Sequence, residues 1–351
     1  MKDSYSKKSN TSFILIVVSL CLIIVSLVVV IVFFDEFKSA FSKDEGSSPT
    51  LAPSATATLQ PTELLPPTEQ VTMAPTPTAR PEEIIVTNNT VGTRFTAPQG
   101  FERVPVQDGS FEAYLRNFSL KTYGTVAMMH DPETKAMIEA TDASTMGVFN
   151  IELINTGNLQ GAAGSIIRLR AEYFRSVGNL EGISFELCTT PAFVCDYKTW
   201  TDGGRLDKTL ISDDKLSWCI NHGVNGEECG HKDVTLGDTD GSFRYYLQNV
   251  MTYSNVASLR LQMKKMSISD VQIGDVFCST EGKGLALIVV DVATDASGKK
   301  TFIVAGGGNP ATDIHVYENT ENPDMNVWQM ADINGTFKCN GFTFTNVYRF
   351  K

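Results

Sequence analysis

A single apolar stretch limits what this chain can fold into more than anything else in it. From Phe13 to Phe34 there are 22 residues without a charge, interrupted only by Ser19, Cys21 and Ser26. As a helix rising 1.5 Å per residue the run reaches about 33 Å, enough to cross a hydrocarbon core of ~30 Å. A cleavable signal peptide has an apolar region of roughly 7–15 residues before a small-x-small site, and this run is longer. A buried core helix carries a polar face and caps, and the run has neither. The flank before it holds Lys2, Lys7 and Lys8 against Asp3, and the flank after it opens with Asp35 and Glu36. By the positive-inside rule residues 1–12 are expected in the cytoplasm, 13–34 in the membrane as a single-pass anchor, and everything beyond on the outer side.

Residues 35–83 read as a spacer. Between 46 and 83 there are 8 prolines and 8 threonines, with no helical or strand period. Proline fixes φ and removes backbone donors, so the stretch is expected to be disordered, sampling polyproline II with an upper reach on the order of 110 Å. A single extracellular globular domain is expected over 84–351. The chain's net charge is −11, with 29 basic against 40 acidic residues, and the basic tail leaves −13 on the outer side. A nucleic-acid partner is excluded on this balance, because such proteins present a basic face to phosphate. At 42% hydrophobic and 20% charged residues the chain is foldable rather than wholly disordered.

Six cysteines lie beyond the anchor: Cys188, Cys195, Cys219, Cys229, Cys278 and Cys339. An even number in an oxidising compartment favours disulfides, although six allow 15 pairings. Cys188 is close in sequence to Cys195, and Cys219 to Cys229; bridges closing such short loops stabilise by roughly 2–3 kcal/mol each. Cys278 and Cys339 are then left to pair. The same region offers a second chemistry, since Cys219, His222, Cys229 and His231 are the ligand types that zinc takes. Their C-x2-H-x6-C-x-H spacing matches no known finger, and a Cys219–Cys229 bridge excludes it.

Within the domain, TRFTAPQGFERV reads as an edge strand and turn, and Ser110 caps a short helix, FEAYLRNF. Runs at 125–129 and 148–154 read as strands. The best helix opens at Asn158, in NLQGAAGSIIRLRAEYFRSVG, with Gly178 as its stop signal. The small residues Gly161, Ala162, Ala163 and Gly164 allow close backbone approach, so this helix start is expected to be buried; Arg168 and Glu172 stand at i,i+4 and pair. Two helices are expected over 242–251 and 254–266. Short β-rich runs then follow to the end, with LALIVVDV apolar on both parities and therefore central. Helices first and strands last indicate an α+β domain, an antiparallel sheet with helices packed on one face.

The segments LQGAAGSIIRLRAEYF, IGDVF, ALIVVDVATDASGKKTFIVAGGGNPATDIHVYEN and the closing RF resemble a bacterial exported family known as domain of unknown function 4846. That family in turn resembles the NlpC and papain-like cysteine peptidases. The resemblance implies a nucleophilic cysteine at a helix start, a histidine base on a central strand and a glutamine after the next strand. Helix start and imidazole together favour the attacking thiolate. In this chain the three positions are Ala162, Leu285 and Gly306, none of which can attack, take a proton or orient a base. Asp313 and His315 match the family's D-I-H string and, with Cys278 after GDVF, are candidates to line a retained groove. Asp275 and Asp291 read as caps of turns or strand ends. The expected protein is therefore a catalytically inactive module without a cofactor, binding a peptide, a cell-wall fragment or an envelope partner protein. The alternatives are an active amidase or peptidase with rearranged residues, or a structural or metal-binding ectodomain.

Overall fold

The run LALIVVDV is buried from end to end and lies inside the main sheet. The computed structural model describes residues 89–140, 146–154, 157–189, 193–207, 216–220, 231, 234–282 and 284–351, which belong to a unit spanning Pro81–Lys351. The expected tail, anchor and spacer lie outside the described residues. Among the described residues no helix is long and apolar enough to cross a membrane.

In chain order the helices are α1 (Val91–Arg94), α2 (Phe111–Arg116), α3 (Ala162–Ser176), α4 (Tyr197–Thr201), α5 (Asp240–Thr252) and α6 (Val256–Leu261). The strands are β1 (Phe101–Arg103), β2 (Met128–His130), β3 (Met137–Glu139), β4 (Ser184–Leu187), β5 (Phe193–Asp196), β6 (Arg205–Asp207), β7 (Ser217–Cys219), β8 (Met263–Met266), β9 (Val276–Ser279), β10 (Leu285–Asp295), β11 (Lys300–Gly306), β12 (His315–Val316), β13 (Trp328–Gln329), β14 (Phe337–Cys339), β15 (Phe342–Phe344) and β16 (Val347–Phe350). The main sheet runs β12-β11-β10-β9-β16-β8, with β1 added to β10 and β13 to β11, and its pairs are antiparallel. Two-stranded ribbons surround it. The fold is thus mixed α+β with antiparallel sheets, as the strand-rich end of the sequence predicts.

β10 is long because every residue from Leu285 to Ala293 is buried, so the strand is covered on both faces. A bulge between Val289 and Asp291 marks where its pairing with β11 shifts register. Around the sheet, Phe277 meets Phe302, Phe337 and Phe344 at ring-centroid distances of 5.3, 4.7 and 5.5 Å. Two buried carboxylates tie distant segments to the sheet. Asp291 accepts from Arg103 Nε at 2.6 Å and Arg116 Nε at 2.8 Å, fixing β1 and α2. Asp275 accepts from Arg349 Nε and Nη2 at 2.7 and 2.8 Å, fixing β16. The sequence reading of these two aspartates as simple caps understates them, because each is all but inaccessible and its charge is neutralised by arginine.

The local differences have physical causes. Residues 254–266 do not form one helix: Asn255 caps α6 with a reciprocal box, Gln262 ends it, and Met263–Met266 pairs with β16. Tertiary strand pairing overrides the local helical pattern there. The expected strand at 125–129 shortens to β2, and 148–154 contributes only the bridges Leu120↔Phe149 and Val148↔His315. Of the edge strand and turn expected over 93–104, residues 93 and 94 belong to the single turn α1 capped by Thr90, and the strand forms as β1, which pairs with β10. α3 ends before Gly178, whose φ of 71° only glycine adopts freely, and Arg168 Nε meets Glu172 Oε1 at 2.6 Å as the spacing implies.

Candidate functional site

The first turn of α3 is built from residues small enough to touch other backbone. Gly161 is its N-cap and offers no side-chain cap; Ser165 Oγ donates instead to the Gly161 carbonyl at 3.0 Å. The end of β11 and the three residues after it press onto this turn. A methyl at Gly307 would overlap Ser165 Oγ and lie 3.0 Å from the Thr312 carbonyl, and one at Gly161 would overlap Asn309 Oδ1. Asn309 also reaches the start of β10, its Nδ2 donating to the Gly284 carbonyl at 3.4 Å. A methyl at Gly306 would sit 2.8 Å from the Ala286 carbonyl. Ala162, Leu285 and Gly306 thus belong to one junction of helix start and adjacent strand ends, with Asn309 wedged in it. Ala162 is 1% and Leu285 3% exposed. None of these three positions carries a reactive side chain, and the two whose exposure is given are closely packed.

The remaining groove candidates separate into two places. Asp313 Oδ2 accepts from Lys121 Nζ at 2.9 Å and from the Met128 N–H at 3.1 Å. His315 pairs with Gly306 across β11 and β12, donates from Nδ1 to the Asp313 carbonyl at 2.9 Å, and stacks on Tyr317 at 4.7 Å. Burial lowers its pKa, which keeps the ring neutral. Cys278 is on β9, and both β10 and β11 stand between it and β12, so about 14 Å of sheet separates it from His315. Burial pushes its thiol up to about 12, against a smaller opposing effect of Arg260. A nucleophilic cysteine needs the opposite shift.

Two cavities open elsewhere. One of about 390 Å³ lies between the segment after β1, the start of α2 and the chain before β9; Val104, Val106, Val271 and Ile273 give it apolar walls, and Glu112 and Lys300 bring charge to it. The other, of about 180 Å³, has Cys278 and Ser279 of β9 on one side, Thr343, Thr345 and Asn346 on the other, and Arg260 of α6 among its lining.

With this geometry in place, residues 91–348 match the family described as domain of unknown function (4846). The chain belongs to that family. No curated protein and no solved structure matches it.

In this 4846-family domain the expected disulfides are corrected: Cys188, Cys195, Cys278 and Cys339 are free thiols. The hairpin register explains the first pair. Leu187 faces Phe193, so Cys188 and Cys195 are offset by three positions, about 10 Å along the ribbon, beyond what a disulfide spans. Cys195 is fully buried and Cys188 exposed. Cys278, on β9, lines the smaller cavity with Arg260, whereas Cys339 ends β14. Cys229 lies outside the described residues, as does His222, so the Cys219–Cys229 bridge and the four-ligand set with His231 fall outside them too. Among the described residues no three His, Cys, Asp or Glu side chains converge as metal ligands. Sequence reasoning missed Arg260, whose partners at 278–281 and 343–348 are joined to it only by the pairing of β16 with β8 and β9.

Proposed function

We propose that residues 84–351 are a catalytically inactive binding module, held outside the cell by the 13–34 anchor and the Pro/Thr-rich spacer. In this reading the module is distantly related in fold to the NlpC and papain-like peptidases. What supports the relation is the packing of a helix start against the ends of two antiparallel strands. What supports the loss of chemistry is the sealed junction itself: alanine, leucine and glycine occupy the three positions, and Asn309 fills the space between them. A retained groove at that point has no support from the packing. The ligand, a peptide, a cell-wall fragment or an envelope partner protein, is assigned instead to the 390 Å³ cavity, which falls in the size range of small-molecule and peptide-side-chain sites.

The full chain in mild detergent, incubated with muropeptides and unstructured peptides, tests both parts. The expected result is co-sedimentation with wall fragments or peptide binding that weakens in Lys300→Glu, with no released product. Product release that disappears in Cys278→Ala means an enzyme with rearranged residues, and overturns the proposal.

A further inference from the structure

The smaller cavity has a chemistry distinct from that of the larger one. Arg260 stands at the end of α6 with its guanidinium carbon over the Tyr348 ring, 4.8 Å from the centroid. Among the described residues no hydrogen bond and no ion pair engages that guanidinium; beside the Tyr348 ring its neighbour is the buried thiol of Cys278. Arg103, Arg116 and Arg349 differ, each being committed to a buried aspartate, whereas Arg170 likewise only stacks, on Phe174 and Phe350, and lines neither cavity described above. Around Arg260 the cavity presents hydroxyls from two directions, Ser279 and Thr280 at the end of β9, and Thr343 and Thr345 flanking the β15–β16 turn, beside the Asn346 amide. Asn346 Nδ2 donates one proton to Thr345 Oγ1 at 2.8 Å, which leaves its second proton and that hydroxyl's own proton to donate elsewhere. One carboxylate, Glu281, is exposed and also lines the cavity.

We infer that this cavity binds a small tetrahedral oxyanion of the phosphate class, with Arg260 as its anchor. An arginine fork that stacks on a ring and is not ion-paired to a carboxylate is a ready partner for phosphate oxygens. Hydroxyl donors on separate sides suit an anion whose oxygens point in several directions better than a planar carboxylate. At about 180 Å³ the cavity takes a head group rather than a whole metabolite. Glu281 carries the wrong sign for such a ligand and acts against it by repulsion, so the two charges make opposite predictions. The inference does not depend on the binding reading of the larger cavity.

The test is calorimetric titration of the full chain in detergent with inorganic phosphate, glycerol 3-phosphate and acetate, alongside vesicles containing phosphatidic acid. Phosphate is expected to bind and acetate to bind at least about tenfold more weakly. Arg260→Gln is expected to weaken phosphate by at least about tenfold, Arg260→Lys to do so partially, and Glu281→Gln to tighten it several-fold. Glycerol 3-phosphate binding identifies a free phosphate monoester as the source, and vesicle binding without it identifies a lipid head group. Phosphate affinity unchanged in Arg260→Gln, acetate binding as tightly as phosphate, or no anion binding at all overturns the inference.

Discussion

The junction at Ala162 and the pocket at Arg260 lie a short distance apart on the same sheet, yet they solve opposite problems. At the junction, backbone meets backbone. Gly161, Ala162, Gly306 and Gly307 have removed their side chains, and Asn309 fills what is left. At the pocket, side chains line a small opening and the arginine among them has no hydrogen bond or ion pair among the described residues. Closeness of packing and chemical capacity have therefore parted within one domain. The start of α3 is a place of close packing, and polar side chains gather instead around Arg260.

The largest expected effect strikes the junction. In Gly307→Val the new side chain must displace Ser165 and the Thr312 carbonyl, the latter being backbone that yields little. Overpacking of this kind costs typically 1–3 kcal/mol, and the backbone obstacle puts this case at about 3 kcal/mol, read as a lowered urea midpoint. A loss below ~0.5 kcal/mol would mean that the junction opens easily, and the contrast with the pocket would fail.

How much of this was legible in the sequence follows from the distance over which each feature is written. β10 declared itself through nine consecutive buried positions, and the start of α3 through Gly161, Ala162, Ala163 and Gly164, all within one local window. The sealing of the junction was not legible, because Asn309 reaches Gly161 and Gly284 from far along the chain. The pocket was not legible either: Arg260, Cys278 and Tyr348 meet only after the last strand pairs with β8 and β9. For the same reason Met263–Met266 was read as helix, since its strand partner is the chain's final segment.

The thiols probe both sides. Burial pushes Cys278 and Cys339 up to about 12 from the usual 9. Below pH 9 both folded and unfolded forms keep the proton, so these groups leave stability flat. Above it the unfolded chain releases protons that the folded one retains, and stability falls from about pH 9 toward pH 12. Cys278→Ala is expected to flatten part of that slope in urea titrations at pH 8–11; an unchanged slope would show that water already reaches the thiol through the pocket. His315 works at the other end of the scale. Its lowered pKa means that the unfolded chain takes up a proton first as pH drops below about 6.5, so stability declines there, and His315→Phe is expected to reduce the decline.

Ala162→Cys restores the sulfur that the fold resemblance expects, at a modest cost in packing of less than about 1.5 kcal/mol. A helix start favours thiolate, but at 1% exposure desolvation opposes it. Iodoacetamide is therefore expected to label exposed Cys188 promptly and the introduced thiol only as the chain unfolds. Prompt labelling at 162 would turn the junction back into a groove.

The smallest effect belongs to Arg260. Its guanidinium holds up nothing but its own stacking on Tyr348, a contact of about 0.5–1 kcal/mol at an exposed site. Arg260→Gln is thus expected to shift the urea midpoint by less than about 1 kcal/mol, whereas Asp291→Ala, which strands Arg103 and Arg116 beside a buried cavity, sets the scale of a committed arginine at about 3–5 kcal/mol. Arg260 stacks on Tyr348 beside six polar side chains, Ser279, Thr280, Glu281, Thr343, Thr345 and Asn346, so its removal takes away ligand contacts more than packing. A midpoint shift for Arg260→Gln as large as that for Asp291→Ala would make the pocket part of the scaffold, and the division between sealed junction and open pocket would no longer describe this domain.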